Sequence, residues 1–222
     1  MAKRTRGKEI KGKKTKDEPR CIIYLYTEGT TERIYLEHFA NRSYNVEIVP
    51  VDPDSHTDAY GIVKFAKQHI DNVGLDLKLG DRGYCVFDSD PKSNTKIKET
   101  FDLLFGYKEK GLSFVFSNPS FEVWFALHFG DVPHNLSAEK MKKHVKKHVK
   151  KHIKEKYPRY SETTDIYDFL ADKQCEALKR SKILHKAQKN AYDTVYSHEC
   201  NPYTNIFEFI DYVNEIKEKY RK

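Results

Sequence analysis

Cys21-Ile22-Ile23-Tyr24-Leu25-Tyr26-Thr27-Glu28-Gly29 and Gly83-Tyr84-Cys85-Val86-Phe87-Asp88-Ser89-Asp90 share one plan: an apolar run that ends in carboxylates. Short runs rich in β-branched and aromatic residues, closed by turn residues, read as buried strands. In a parallel α/β sheet the carboxyl ends of the strands open onto the ligand crevice, so two acidic ends far apart in sequence can meet there. Carboxylates that meet in this way make a hard-cation site. Mg²⁺ takes one or two of them and completes its shell with waters and substrate phosphates, which suits Asp88 and Asp90 with Glu28 opposite.

Outward from these runs the chain alternates. A helical pattern follows Gly29 from Glu32 to about Ala40, with Ile34, Tyr35, His38 and Phe39 inward; then come a strand over Val46–Val51 and a second helix from Tyr60 to about Asn72. After Asp90 a helix over about Thr95–Phe105 leads to a fourth strand at Leu112–Phe116. Strands separated by helices predict a Rossmann-like α/β core of about four mainly parallel strands. Pro119 is placed to open a helix carrying Phe121, Trp124, Phe125 and His128, and from Ser137 onward only helical patterns recur, at about 138–156, 165–191 and 204–220. The expected organisation is a basic, disordered N-terminal arm over 1–20, an α/β domain over 21–133, and a helical annex over 134–222 packed on it.

Composition narrows the functional classes. The 222 residues are 38% hydrophobic and 33% charged, and no apolar stretch approaches the roughly 20 residues needed to span a bilayer. Met1 to Arg20 lacks the apolar centre of a secretory signal, so a cytoplasmic protein with no membrane association is expected. Cys21, Cys85, Cys175 and Cys200 show no metal-binding spacing and read as small core hydrophobes. The net charge of +7 is unevenly spread: residues 1–20 hold nine Lys/Arg against three acids, and residues 139–160 ten against two, so the remainder is acidic. Concentrated basic segments on an acidic body favour a nucleic-acid partner, RNA or DNA, over general solubility.

Three blocks in order carry a family likeness: Leu25-Tyr26-Thr27-Glu28-Gly29-Thr30-Thr31-Glu32-Arg33-Ile34-Tyr35-Leu36, Val86-Phe87-Asp88-Ser89-Asp90, and Ser117-Asn118-Pro119-Ser120-Phe121-Glu122-Val123-Trp124 with the residues to Phe129. With a late Asn201-Pro202-Tyr203-Thr204-Asn205, they resemble the RloB family, Toprim-fold proteins of prokaryotic defence loci, over about residues 21–220. The resemblance implies Mg²⁺-dependent (or Mn²⁺-dependent) phosphodiester chemistry: a nuclease acting on RNA, tRNA among the candidates, or on DNA, in anti-phage defence. It implies Glu28, Asp88 and Asp90 as catalytic and metal-binding residues. Glu122 belongs with them as a further catalytic residue, and Asn118 is its polar neighbour. The alternative is a non-catalytic nucleic-acid-binding or partner-docking subunit with a vestigial site. A defence nuclease must be restrained in the uninfected cell, so an ATPase or other defence-system partner is expected, and the oligomeric state is open. Pro91 and the very basic 139–156 segment depart from the family pattern.

Ordinary readings stand beside these. Glu28 can be a solvated turn glutamate, and Asp90 a helix cap. Glu32, one turn beyond Glu28, suits the N-terminal dipole as well as a supporting place in the site. In the basic helix Met141, Val145, Val149 and Ile153 form a narrow apolar stripe. Lys142, Lys143, Lys146, Lys147, Lys150 and Lys151, with Arg159 beyond, are available to phosphates on an element separate from the acids. The His144, His148, His152 spacing suits a basic amphipathic helix better than a metal stripe, because lysines fill the intervening positions. Tyr157 and Tyr160 flank Arg159 and offer rings for stacking on splayed bases.

Overall fold

The computed structural model describes residues 20–41, 45–53, 58–89, 94–153, 161 and 163–221. The N-terminal arm to residue 19, Asp90, Pro91, Tyr157, Arg159 and Tyr160 lie outside the described residues, as do the side chains of Lys151, His152 and Ile153. Strand β1 (Cys21–Thr27) is followed by α1 (Thr30–Glu37), β2 (Val46–Pro50), α2 (Ala59–Val73), β3 (Arg82–Asp88), α3 (Asn94–Gly106) and β4 (Leu112–Asn118). Then come α4 (Glu122–Leu127), α5 (Ala138–Ile153), α6 (Tyr167–Ala171), α7 (Gln174–Ala191), β5 (Tyr203–Thr204) and α8 (Ile206–Lys219).

The sheet order is β2-β1-β3-β4-β5, parallel throughout except for antiparallel β5. From β1 the chain first adds β2 on one side and then returns to place β3 on the other. The topological switch point therefore lies between β1 and β3, where ligands bind in open α/β sheets. Alternation along the strands builds a core on each face. Leu25, Tyr84, Val86 and Val115 point to one, under α1, α4, α5 and α8; Tyr26, Cys85, Phe87 and Phe116 point to the other, with Ile62, Val63 and Ala66 of α2 and Leu104 of α3.

The mainly parallel α/β sheet with C-terminal helices accords with expectation, and four details do not. The late segment is not purely helical: Tyr203–Thr204 extends the sheet as β5. The helix expected over 165–191 is two, α6 and α7, parted at Asp172 and Lys173 with neither Gly nor Pro to mark the break. The inward face of α1 is Glu32, Tyr35 and Leu36, continued by Phe39, whereas His38 lies at the surface, bonded to Asp165 and stacked on Tyr167. Cys21, Cys85 and Cys200 are buried as expected of core residues, but Cys175 is exposed.

Asn205 fastens β5 and α8 to the sheet. Its Oδ1 accepts from Phe116 N at 2.7 Å, and its Nδ2 donates to Phe114 O at 3.3 Å and to Glu208 Oε2 at 3.2 Å, in a residue with no exposure. Leaving a buried backbone amide unpaired costs about 1–3 kcal/mol. Asn205→Ala is expected to lower the unfolding free energy by about that amount in urea denaturation, with an unchanged slope against denaturant.

Candidate functional site

Glu28 immediately follows β1, and Asp88 ends β3, one on each side of the switch point. The backbone there is pinned from two directions. Glu28 N donates to Val86 O at 3.1 Å, which prolongs the β1–β3 ladder, and Ser89 N donates to Ser117 O at 2.8 Å, which prolongs β3–β4. Asp88 N also donates to Glu28 Oε2 at 3.3 Å, so the two acids are in contact although separated by sixty positions.

Two further carboxylates close in. Glu32, in the first turn of α1, is buried, as is Glu122, the first residue of α4. Gly29 makes room for the first of them: a Cβ at that position would stand 2.6 Å from Glu32 Oε2. Since the Gly29 backbone is ordinary extended chain (φ −128°), steric room for the end of the Glu32 side chain, not a special dihedral, is what favours a glycine. Glu32 Oε2 and Asp88 Oδ1 are both cut off from solvent without a hydrogen-bond partner among the described residues.

The electrostatics follow from that crowding. Burial is the largest influence on Asp88, then the charges of Glu32, Glu122 and Glu28; together they hold its carboxyl well above the usual carboxylate range, with Lys142 pulling the other way. Glu32 is pushed up to about 7, first by burial and then by Glu122 and Glu28, again opposed by Lys142. The buried acid at the other end of β3 makes the contrast. Asp81 accepts from Ile22 N at 2.8 Å and from Asp76 N at 3.0 Å, as a structural carboxylate does.

The basic helix is not remote from the acids. Met141, Val145 and Val149 are buried in the core, while Lys143, Lys146, Lys147 and Lys150 are exposed. Lys142 is half-buried and acts on both Asp88 and Glu32, and Glu122 shares a cavity with Lys142, Lys143 and Lys146. The lysines do lie on an element separate from the acids, but docking the apolar stripe of α5 against α4 brings its first turns to the crevice. His148 stacks on Phe129 and His144 packs against His148.

Asn118, expected as a polar neighbour of the site, directs its Nδ2 to the carbonyls of Ser197, His198 and Cys200 at 2.9–3.0 Å and so tethers the 197–200 loop. That loop delivers a residue the sequence did not reveal: His198 Nδ1 hydrogen-bonds Ser89 Oγ, on the residue after Asp88. No periodicity marks the segment, so only the tertiary fold brings it there.

The donor set suits a hard cation: carboxylate oxygens only, two of them buried with unused lone pairs. Among the described residues no three His, Cys, Asp or Glu side chains are grouped to hold a metal by themselves. Mg²⁺ requires no such cage, since it commonly keeps its waters and takes substrate phosphates.

The model of the family described as RloB-like protein matches residues 23–213. The chain belongs to the RloB-like family. Every described acid of the crevice lies within the matched span of this RloB-like protein. No curated protein and no solved structure is significantly similar to it. Among its described residues, no helix is long and apolar enough to cross a membrane.

The raised Glu32 sets a pH dependence. Because its folded value of about 7 exceeds the ordinary 4.5, the group supports the fold fully below about 4.5, and that support is lost as pH rises through about 7. In EDTA, the melting temperature of the protein is expected to fall across this window more steeply than that of Glu32→Gln. Parallel curves in a fluorimetric melt series would show that Glu32 titrates normally.

Proposed function

We propose that this RloB-like protein is a metal-dependent nuclease that hydrolyses phosphodiester bonds of RNA, tRNA among the candidates, or of DNA, in prokaryotic anti-phage defence. One observation carries the proposal: four carboxylates, Glu28, Glu32, Asp88 and Glu122, crowd the switch point beside a lysine-lined cavity, and one buried oxygen each of Glu32 and Asp88 has no hydrogen-bond partner among the described residues. A structural site would pair its buried acids, as Asp81 is paired; an excess of acid next to lysines suits a cation and a polyanion together.

Glu28 and Asp88 would hold the ion, with Asp90 as the further ligand implied by the family. When bound, Mg²⁺ or Mn²⁺ supplies stabilisation of the charge that develops on the leaving oxygen. Glu32 is protonated in part near pH 7, which equips it to hold or release a proton at its carboxyl within the crevice. Lys142 offsets acidic charge and directs a cation toward an incoming phosphate. The Ser89–His198 contact steadies the turn that presents Asp88. An ATPase or other defence-system partner would restrain the activity in the uninfected cell.

A second reading has its own support. Lys142 already offsets the charge of the crevice acids without an ion, which is what a non-catalytic nucleic-acid-binding or partner-docking subunit would show. Incubation of purified protein with labelled tRNA, single-stranded DNA and duplex DNA, in Mg²⁺, Mn²⁺ or EDTA, separates the two. Metal-dependent cleavage of any one substrate supports the nuclease, whereas binding without cleavage under every metal supports the second reading.

Asp88→Asn and Glu28→Gln are each expected to reduce metal-dependent cleavage by at least about a hundredfold. Their melting temperatures should hold or rise, because each substitution removes a charge from a repulsive cluster. Wild-type cleavage rates in both variants would refute the assignment of these acids.

A further inference from the structure

A cavity of about 470 Å³ is lined in part by the buried Glu122. The first turns of α5 form one wall, through Glu139, Lys142, Lys143 and Lys146. Ser161 and Thr163 line another part, their hydroxyls 3.2 Å apart, and Thr164 Oγ1 accepts from Ser161 N at 2.8 Å.

The cations are unequal. Lys143 is engaged by Glu139 at 2.6 Å. Lys146 has no ion pair among the described residues, and Lys142 is the cation that acts on the crevice acids. An isolated inorganic anion gains from the lysines but is repelled by Glu122. A ligand that is anionic at one end and rich in hydroxyl donors at the other satisfies both, since a carboxylate accepts strongly from such donors. A ribonucleotide has this pattern. The cavity volume falls in the range of small-ligand pockets and fits one nucleotide, not a duplex.

We propose that this cavity seats the 3′-terminal ribonucleotide of a single-stranded RNA, its phosphate on Lys142 and Lys146 and its free 2′- and 3′-hydroxyls toward Glu122 and the Ser161 and Thr163 side chains. The 2′-hydroxyl is the group by which such a site tells RNA from DNA. The proposal deepens the nuclease reading by naming the substrate class, and it is tested by binding alone.

The experiment is calorimetric titration of the full chain, in EDTA, with the four ribonucleoside 5′-monophosphates, their 2′-deoxy counterparts and inorganic phosphate. All four ribonucleotides should bind comparably, each about threefold or more tighter than its deoxy form and tighter than phosphate. Lys146→Gln, at an exposed position that leaves the fold intact, should weaken binding by about tenfold, and the Lys142→Gln/Lys146→Gln pair by more. Lack of nucleotide binding, equal affinity for the deoxy forms, or affinity unchanged in Lys146→Gln would overturn the proposal. The two readings fail separately: ribonucleotide binding without cleavage sinks the nuclease and leaves the cavity assignment standing, while cleavage without nucleotide binding does the reverse.

Discussion

The mutual repulsion of four carboxylates, held together by the sheet at its switch point, is the constraint on which the rest of the site depends. Like charges in a poorly solvated crevice do not gather unless covalent connectivity and packing force them to. Here the force is the parallel ladder. Residues Glu28 and Asp88 end adjacent strands, and backbone bonds from Glu28 to Val86 and from Ser89 to Ser117 leave them little freedom to separate. Core packing behind Tyr35 and Trp124 brings Glu32 and Glu122 against the same point.

The cost of that arrangement is partly met by Lys142, which arrives from a helix far along the chain. Burying Met141, Val145 and Val149 fixes how α5 docks, and docking fixes which lysines reach the crevice and which remain on the open surface. Hydrophobic burial thus decides an electrostatic outcome. The same helix contributes a wall to the cavity beside Glu122, so acids and lysines form one surface of two signs.

The strands and the two acids that end them were legible because apolar runs closed by Glu-Gly and Asp-Ser-Asp carry their own boundaries. Glu122 was legible through the family block. Glu32 reads equally as a helix-dipole acid and as a supporting site residue, and a signal for the second is present: Glu32, Tyr35, Leu36 and Phe39 follow the spacing of one helical face, and three of the four are core residues. A carboxylate in an apolar stripe is a buried charge that asks for a partner. By contrast, β5 is only two residues long, too short for any periodicity, and the α6–α7 break has no Gly or Pro to announce it. Lys142 and His198 depend on how distant segments dock, and Asn118 on where the 197–200 loop runs, which local pattern does not encode.

The central claim is that the crowded acids form a cation site completed by substrate and water, not a protonated remnant. Anomalous diffraction from crystals soaked in Mn²⁺ tests it most directly. The account predicts a single strong peak between the Glu28 and Asp88 carboxylates, abolished in Asp88→Asn. A crevice without a peak at saturating Mn²⁺, its carboxyls instead hydrogen-bonded to one another and to Lys142, would contradict it.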